Sequence, residues 1–177
     1  MSEALLSIPV GPDDHSVGPL DAKLVVVEYG DYQCPYCGQA YPIVEKLRAA
    51  FADSMRLIFR NLPLVEVHPN AEAAAEVAEA VGLQGKFWEI HDTLYEHQRD
   101  LSAAALRRYI QGVGADIEQA TKAIADGGPR QRVEADFEGA IRSGANGTPT
   151  FFVNGLRYDG SWQYGPFAEY LSQMIDD

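Results

Sequence analysis

The chain has 177 residues, of which 46% are hydrophobic, so one domain with a substantial core is expected. Its 26 acidic and 14 basic residues leave a net charge of −12, which argues against nucleic acid or an anionic membrane as the main partner. We see neither an apolar run of ~20 residues nor the basic and apolar parts of a signal peptide. As written, the sequence predicts a cytoplasmic protein without membrane insertion; a periplasmic or secreted location would apply if a signal peptide has been removed.

The first third of the chain predicts the order β-β-α-β. Residues 4–10 are apolar and are expected to form an edge strand, followed by a loop over residues 11–21. Residues 24–29 are a largely β-branched run, which is typical of a central strand covered on both faces. A helix is expected to follow as far as about Phe51, and residues 55–60 predict a second inner strand.

The middle of the chain, residues 68–143, contains no convincing strand and is divided by glycine and proline. Helices are predicted at residues 71–81, 86–97, 102–111, 116–125 and 129–143. Asp116 stands three residues before Gln119, a pattern that indicates a capped helix start. We therefore divide the chain into a first part of a fold at 1–67, an inserted helical subdomain at 68–143 and a second part at 144–177.

The last part predicts the order β-β-α. A strand is expected at residues 150–153, Asn154-Gly155 is typical of a two-residue hairpin turn, and residues 156–158 form the return strand. A final helix from about Pro166 carries its apolar side chains on one stripe.

Two cysteines, Cys34 and Cys37, follow the predicted central strand directly and open the next helix. The N-terminus of a helix offers free N–H groups and a partial positive charge, which favour a thiolate over a thiol. We therefore expect Cys34 to face solvent and act as the nucleophile, and Cys37, one turn further in, to resolve a mixed disulfide. A zinc site would need two further ligands, and no histidine stands at a compact ligand spacing from the pair, so no metal is expected.

Three features together resemble the DsbA-like group of bacterial thioredoxin-fold proteins: the run VEYGDYQCPYC at 27–37, the helical insertion, and the run GTPTFFVNG at 147–155. The resemblance extends from about His15 to the last helix. It implies an α/β thioredoxin-like fold, with a mixed sheet flanked by helices and an inserted all-helical subdomain. It also implies disulfide exchange with protein or peptide thiols, without an organic cofactor or metal, and electron transfer to or from another redox protein or glutathione.

The resemblance further implies a substrate-binding set around the dithiol. Thr148-Pro149 is expected to be a cis peptide beside the cysteines, so that the backbone of Thr148 can pair with an extended substrate strand. The Thr148 hydroxyl is expected close to the sulfurs, and Pro35 and Tyr36 complete the set. The alternative is an ordinary trans proline that opens a strand.

Glu28 interrupts a run of valines, and a carboxyl buried there is costly without a task or a partner. The resemblance implies an acid beneath the cysteines that moves protons for the resolving thiol, a role that suits a raised pKa. The alternative is an ion pair with Lys23 or Lys46. We interpret Asp31 as a simple turn cap and His91 as a surface or hydrogen-bonded histidine.

The dipeptide Pro35-Tyr36 matches glutaredoxins and differs from the Pro-His of strongly oxidising bacterial enzymes. We therefore expect the reduction potential to lie away from the strong-oxidant end near about −120 mV, toward the middle of the range between about −120 and about −270 mV, and the direction of the reaction stays open. One alternative function is a glutathione-linked reductase of small thiols, although no Arg/Lys cluster stands near the motif in the sequence. Another is a non-enzymatic chaperone or metal-binding module. The sequence does not indicate an oligomeric state.

Overall fold

One mixed sheet of five strands is present in the computed structural model, which describes residues 4–176. The strands are β1 (His15–Val17), β2 (Leu24–Gly30), β3 (Met55–Asn61), β4 (Thr150–Val153) and β5 (Leu156–Tyr158). Their order across the sheet is β1-β3-β2-β4-β5, with β2 parallel to β3 and the other neighbours antiparallel. The helices are α1 (Pro35–Ala50), α2 (Ala71–Gly82), α3 (Phe87–Glu96), α4 (Ala103–Gly112), α5 (Ile117–Asp126), α6 (Gly128–Arg142) and α7 (Tyr164–Asp176).

Strand β2 lies in the centre of the sheet because its side chains are apolar on both faces. Leu24 and Val26 pack in one core with residues of α1 and α7. Val27 and Tyr29 point to the other face, where they pack in a core that includes Ala140 of α6. The prediction of a central strand covered on both faces is confirmed, and the carboxyl end of this strand leads directly into the CxxC motif.

The five helices α2–α6 follow one another between β3 and β4. Helix α2 is the centre of this group, because its many alanines are buried and allow α3, α4, α5 and α6 to pack closely against it. The predicted cap is present: Asp116 Oδ1 accepts a hydrogen bond from the backbone N–H of Gln119 at 2.9 Å. Each predicted helix of this stretch is found with its ends shifted by no more than one residue. The domain boundaries themselves stay a prediction.

The predicted edge strand at residues 4–10 is wrong. In that segment Leu5 makes one isolated bridge to Leu156, and the first strand of the sheet is β1, inside the predicted loop. Pro9 cannot donate a backbone hydrogen bond, whereas β1 is fixed beside β3 by the ion pair from Arg60 Nε to Asp14 Oδ1 at 2.8 Å. The ion pair therefore helps to hold β1 at the β3 edge of the sheet, whereas the segment around Leu5 lies beside β5 at the other edge.

The predicted hairpin between β4 and β5 is confirmed. Asn154 and Gly155 have φ values of 49° and 83°, the left-handed pair that a tight two-residue turn requires. The Asn154 side chain also accepts a hydrogen bond from the N–H of Val25 at 2.8 Å, which ties the turn to β2. Within residues 4–176, no helix combines the length and the apolar character that crossing a membrane would demand.

Candidate active site

The CxxC motif lies at the point where β2 gives way to α1. Cys34 is the N-cap of α1 with extended backbone (φ −68°, ψ 122°), and Pro35 occupies the first turn, where its missing N–H costs nothing. Because β2 is buried on both faces, this helix start is held against the core. The predicted placement of the motif, after a central strand and at a helix N-terminus, is confirmed.

Both thiols lie beneath the surface. Cys34 exposes 3% of its surface and Cys37 none, so the expectation that Cys34 faces solvent is wrong. Cys34 is covered because the loop before β4 places Thr148 O 3.5 Å from its sulfur, and in its protonated form the thiol donates a hydrogen bond to that oxygen. The Cys34 sulfur is therefore covered by a segment that lies far away in the sequence.

The two cysteines nevertheless differ strongly in acidity. The pKa of Cys34 is lowered to about 5, because the Cys37 thiol donates to its thiolate and hydrogen bonds from the Thr148 hydroxyl and from the backbone N–H groups of Cys37 and Tyr36 outweigh burial. Burial raises the pKa of Cys37 well above the usual range, as does its own hydrogen bond to Cys34. At neutral pH, Cys34 is the ionised thiol of the pair.

Thr148 and Pro149 lie beside this thiolate, joined by a cis peptide bond. The Thr148 Oγ1 atom is buried and has no hydrogen-bond partner among the described residues, and its hydroxyl contributes to the lowered pKa of Cys34. On the solvent side of the dithiol, Pro35 is exposed and Tyr36 exposes 62% of its surface. The structure thus brings all four predicted substrate-binding residues to the dithiol; their role in binding stays a prediction.

Glu28 is 2% exposed on β2, between Phe59 of β3 and Phe151 of β4. Burial raises its pKa to about 8, and the charge of Glu45 adds to the shift. The alternative ion pair is not formed: within the described chain neither Lys23 nor Lys46 contacts this carboxyl. The negative charge of Glu28 contributes to the raised pKa of Cys37, so the two groups lie within electrostatic reach.

Asp31 does more than the turn cap that the sequence predicted. Its Oδ1 accepts hydrogen bonds from the N–H groups of Gln33 at 2.7 Å and Cys34 at 3.1 Å. Its Oδ2 accepts from the N–H of Leu64 at 2.9 Å and lies 2.8 Å from His68 Nδ1. This fully buried carboxyl therefore joins the CxxC turn to the loop between β3 and α2.

Gln98, in the connection between α3 and α4, is a second residue that the sequence did not point to. Its Nε2 donates to Tyr32 O at 2.9 Å and to Cys34 O at 2.7 Å. A Cβ on Gly38 would stand 2.2 Å from Gln98 Oε1, so a larger side chain at this position would displace the Gln98 amide. The connection between α3 and α4 is thereby tied to the backbone of the motif.

His91 is a buried, hydrogen-bonded histidine and not a surface one. It is 2% exposed, and its Nδ1 lies 2.9 Å from the Tyr32 hydroxyl. Burial lowers its pKa to about 3, helped by the positive charges of Arg48 and His15, so the ring is neutral at physiological pH. In the part of the chain that the structure describes, no three His, Cys, Asp or Glu side chains are grouped as metal ligands.

Known proteins resemble this chain in sequence. A family model described as Thioredoxin matches residues 11–177. The Na(+)/H(+) antiporter NhaA 1 of Salinispora arenicola (strain CNS-205) is 49% identical over 158 residues, which cover 89% of this chain and 24% of that protein. The chain thus spans about a quarter of the length of this curated relative.

Solved structures resemble it in fold. A thioredoxin-like oxidoreductase from Silicibacter pomeroyi DSS-3 is 26% identical, with a TM-score of 0.84 over 94% of this chain and 95% of that one. Oxidised BdbD from Bacillus subtilis is 23% identical, with a TM-score of 0.86 over 99% of this chain and all of that one. The thioredoxin-like fold class with helices on both sides of a mixed sheet is therefore confirmed.

Proposed function

The chain belongs to the thioredoxin family and has the fold of the DsbA-like thiol–disulfide oxidoreductases, and we propose that it exchanges disulfides with protein or peptide thiols through Cys34 and Cys37. One observation carries the proposal: the ionised Cys34 caps α1 while the backbone of Thr148 lies 3.5 Å from its sulfur. The nucleophile and a backbone edge for an extended partner thus stand side by side.

The proposed reaction transfers two electrons from the dithiol to a partner disulfide, with one proton supplied by Cys37 and one by solvent. The Cys34 thiolate attacks one sulfur of a partner disulfide, the S–S bond breaks, and the other partner sulfur leaves and takes up a proton. In the minor fraction of the protein in which Glu28 is ionised at neutral pH, since its pKa is about 8, this carboxylate takes the proton of Cys37 and passes it to the second partner sulfur as that sulfur leaves. The Cys37 sulfur attacks Cys34, which forms the intramolecular disulfide and releases the second partner thiol. The reverse sequence oxidises a partner dithiol.

Thr148 and the exposed Tyr36 are proposed to receive the partner. An extended segment that pairs with the backbone of Thr148 brings its sulfur to Cys34 without a rearrangement of the sheet. Because Cys34 itself is 3% exposed, the segment has to settle between this loop and the start of α1 before exchange occurs.

Serine substitutions of the two cysteines test this proposal. Cys34→Ser is expected to abolish both insulin reduction and oxidation of reduced ribonuclease, because the attacking sulfur is gone. Cys37→Ser is expected to accumulate mixed disulfides, seen as a mass increase on non-reducing gels, because the resolving sulfur is gone. Full activity of the Cys34→Ser protein would exclude the assignment.

A further inference from the structure

An apolar groove lies between the loop after β3 and helix α6, outside the machinery proposed for the dithiol. Its volume is about 230 Å³. Val65 and Phe137 lie on its apolar side and expose 50% and 37% of their surfaces. Ile141, one turn after Phe137 on α6, is 53% exposed and extends the apolar stripe. Single exposed apolar side chains are common, but these belong to one groove and its adjoining helix face.

The rim of this groove is acidic. Glu72, Glu134 and Glu138 line it, no Lys or Arg does, and none of the three forms an ion pair among residues 4–176. Arg130, one turn before Glu134, is bound to Glu76 at 2.9 Å, and its charge also reaches Glu72 and Glu134. Arg142, one turn after Glu138, lines the neighbouring pocket and not this groove. The complementary occupant therefore has an apolar side chain with positive charges next to it.

The groove begins next to the reactive cysteine. Its lining includes Pro63 and Val65, and the residue between them, Leu64, donates its N–H to Asp31 at 2.9 Å. The same carboxyl accepts the N–H of Cys34 at 3.1 Å. These two hydrogen bonds through Asp31 keep the Pro63–Val65 wall of the groove close to the dithiol, within reach of one extended partner segment.

We propose that this groove selects the partner of the dithiol: a segment with a large apolar side chain flanked by Lys or Arg, a few residues from the partner's cysteine. This inference rests on the proposed disulfide exchange and adds its substrate class. The apolar side chain packs against Val65 and Phe137, and the flanking cations lie against Glu134 and Glu138. Acidic segments are repelled at the same place, which separates partners by their sequence around the cysteine.

Three synthetic peptides test the inference. Each has one cysteine as a mixed disulfide with thionitrobenzoate, and carries Lys-Phe-Lys, Lys-Ser-Lys or Glu-Phe-Glu about four residues away on both sides. In excess reduced protein, Cys34 attacks the peptide sulfur, yellow thionitrobenzoate leaves, and Cys37 releases the peptide thiol as the protein disulfide forms. We expect the Lys-Phe-Lys peptide to react roughly tenfold faster than Glu-Phe-Glu, with Lys-Ser-Lys between them.

Matched variants separate the groove from the overall negative charge. The double variant Glu134→Gln, Glu138→Gln is expected to slow the Lys-Phe-Lys peptide roughly threefold or more, and Phe137→Ser is expected to slow it as well. The double variant Glu118→Gln, Glu169→Gln removes the same net charge from exposed positions on α5 and α7, and should leave the rate unchanged. All variants should react with Ellman's reagent at the wild-type rate, because the dithiol is intact.

The possible results distinguish a failure of the proposed groove from a failure of the proposed disulfide exchange. Equal rates for the three peptides, or equal losses in the two double variants, would overturn the groove while reaction with Ellman's reagent still supports the dithiol. Sedimentation as a dimer that Phe137→Ser converts to a monomer would also overturn it, since a second copy would then cover this face. If the Cys34→Ser protein released thionitrobenzoate as fast as the wild type, the proposed function itself would fail.

Discussion

At Glu28 a carboxyl stands in the middle of the sheet, between phenylalanines of both neighbouring strands. Its pKa, raised to about 8 mainly by burial, means that the folded chain holds a proton that the unfolded chain releases near pH 4.5. The protonated form therefore stabilises the fold fully below pH 4.5, and this contribution is lost as the pH rises to about 8. A side chain suited to passing protons is thus also a source of pH-dependent stability.

Replacing Glu28 by glutamine removes this titration while keeping the shape of the neutral acid. In a background with both cysteines changed to serine, we expect Glu28→Gln to have similar stability to its parent at pH 4 and a higher one at pH 9. The expected gain is of the order of 3–5 kcal/mol, because a pKa shift of one unit corresponds to about 1.4 kcal/mol. Urea unfolding at both pH values measures it, with the exposed Glu118→Gln as control. An identical pH dependence in Glu28→Gln and its parent would show that Glu28 does not titrate in this way.

Single residues were predictable where their signal is local. Cys34, Cys37 and Glu28 could be found because the motif and the interrupted valine run are contiguous in the sequence. The exposure of Cys34 could not, because the atoms that cover it come from Thr148, 114 residues away. The environment of a side chain depends on such distant segments, and spacing along the chain does not reveal them.

Among the helices and strands, one buried side chain joins the two loops that flank the CxxC motif. The turn from β2 to α1 and the loop from β3 to α2 share one buried carboxyl, Asp31, which accepts three backbone N–H groups and contacts His68. A buried carboxylate is tolerated when all its hydrogen bonds are made, and these are charge-assisted. The start of α1 is therefore attached both to β2, which precedes it, and to the loop that follows β3.

Asp31→Asn is expected to destabilise the protein by about 1–3 kcal/mol. An asparagine can still accept the N–H groups of the CxxC turn, but its amide nitrogen cannot accept the N–H of Leu64, which stays partly buried without a partner. Urea unfolding measures the change against Asp53→Asn, an exposed position without an ion pair in the described chain. A loss no larger than that of the control would contradict the structural role of Asp31.

Elements were predictable to the extent that their pattern was strong. The helices between β3 and β4, the central strand and the hairpin at Asn154 all follow from periodicity, small-residue breaks or turn chemistry. The edge strand was misplaced because residues 4–10 look more apolar than β1, which contains His15 and Ser16. His15 is compensated by Glu79, 2.8 Å away on α2, and by stacking on Phe87. Tertiary contacts of this kind override a weak local pattern.

On the scale of the whole molecule, the acidity of Cys34 links folding to redox state. Its pKa falls from an ordinary value of 9.0 to about 5 in the folded reduced chain. The thiolate therefore contributes stability that is fully present above pH 9 and is lost as the pH falls through 5. The disulfide form has no thiolate, so only the reduced form carries this contribution. If Cys34 is the attacking thiol, as proposed, its low pKa is expected to shift the pair toward the oxidising end of the thioredoxin-fold range.

As the pH rises, the free energy of unfolding of the reduced protein is expected to increase relative to that of the oxidised protein. Between pH 5 and pH 7 the reduced form should gain roughly 2–3 kcal/mol relative to the oxidised form, from two units of pH at about 1.4 kcal/mol each. Glu28 titrates in both forms and largely cancels, and the chain constraint imposed by the disulfide does not depend on pH. Urea unfolding of both forms at each pH measures the difference, and the Cys34→Ser protein, which forms no internal disulfide, supplies the baseline without a thiolate. A difference in stability that stays the same at both pH values would mean that Cys34 is not ionised in the folded protein. The reduction potential should then lie at the reducing end of the range, near that of thioredoxin at about −270 mV.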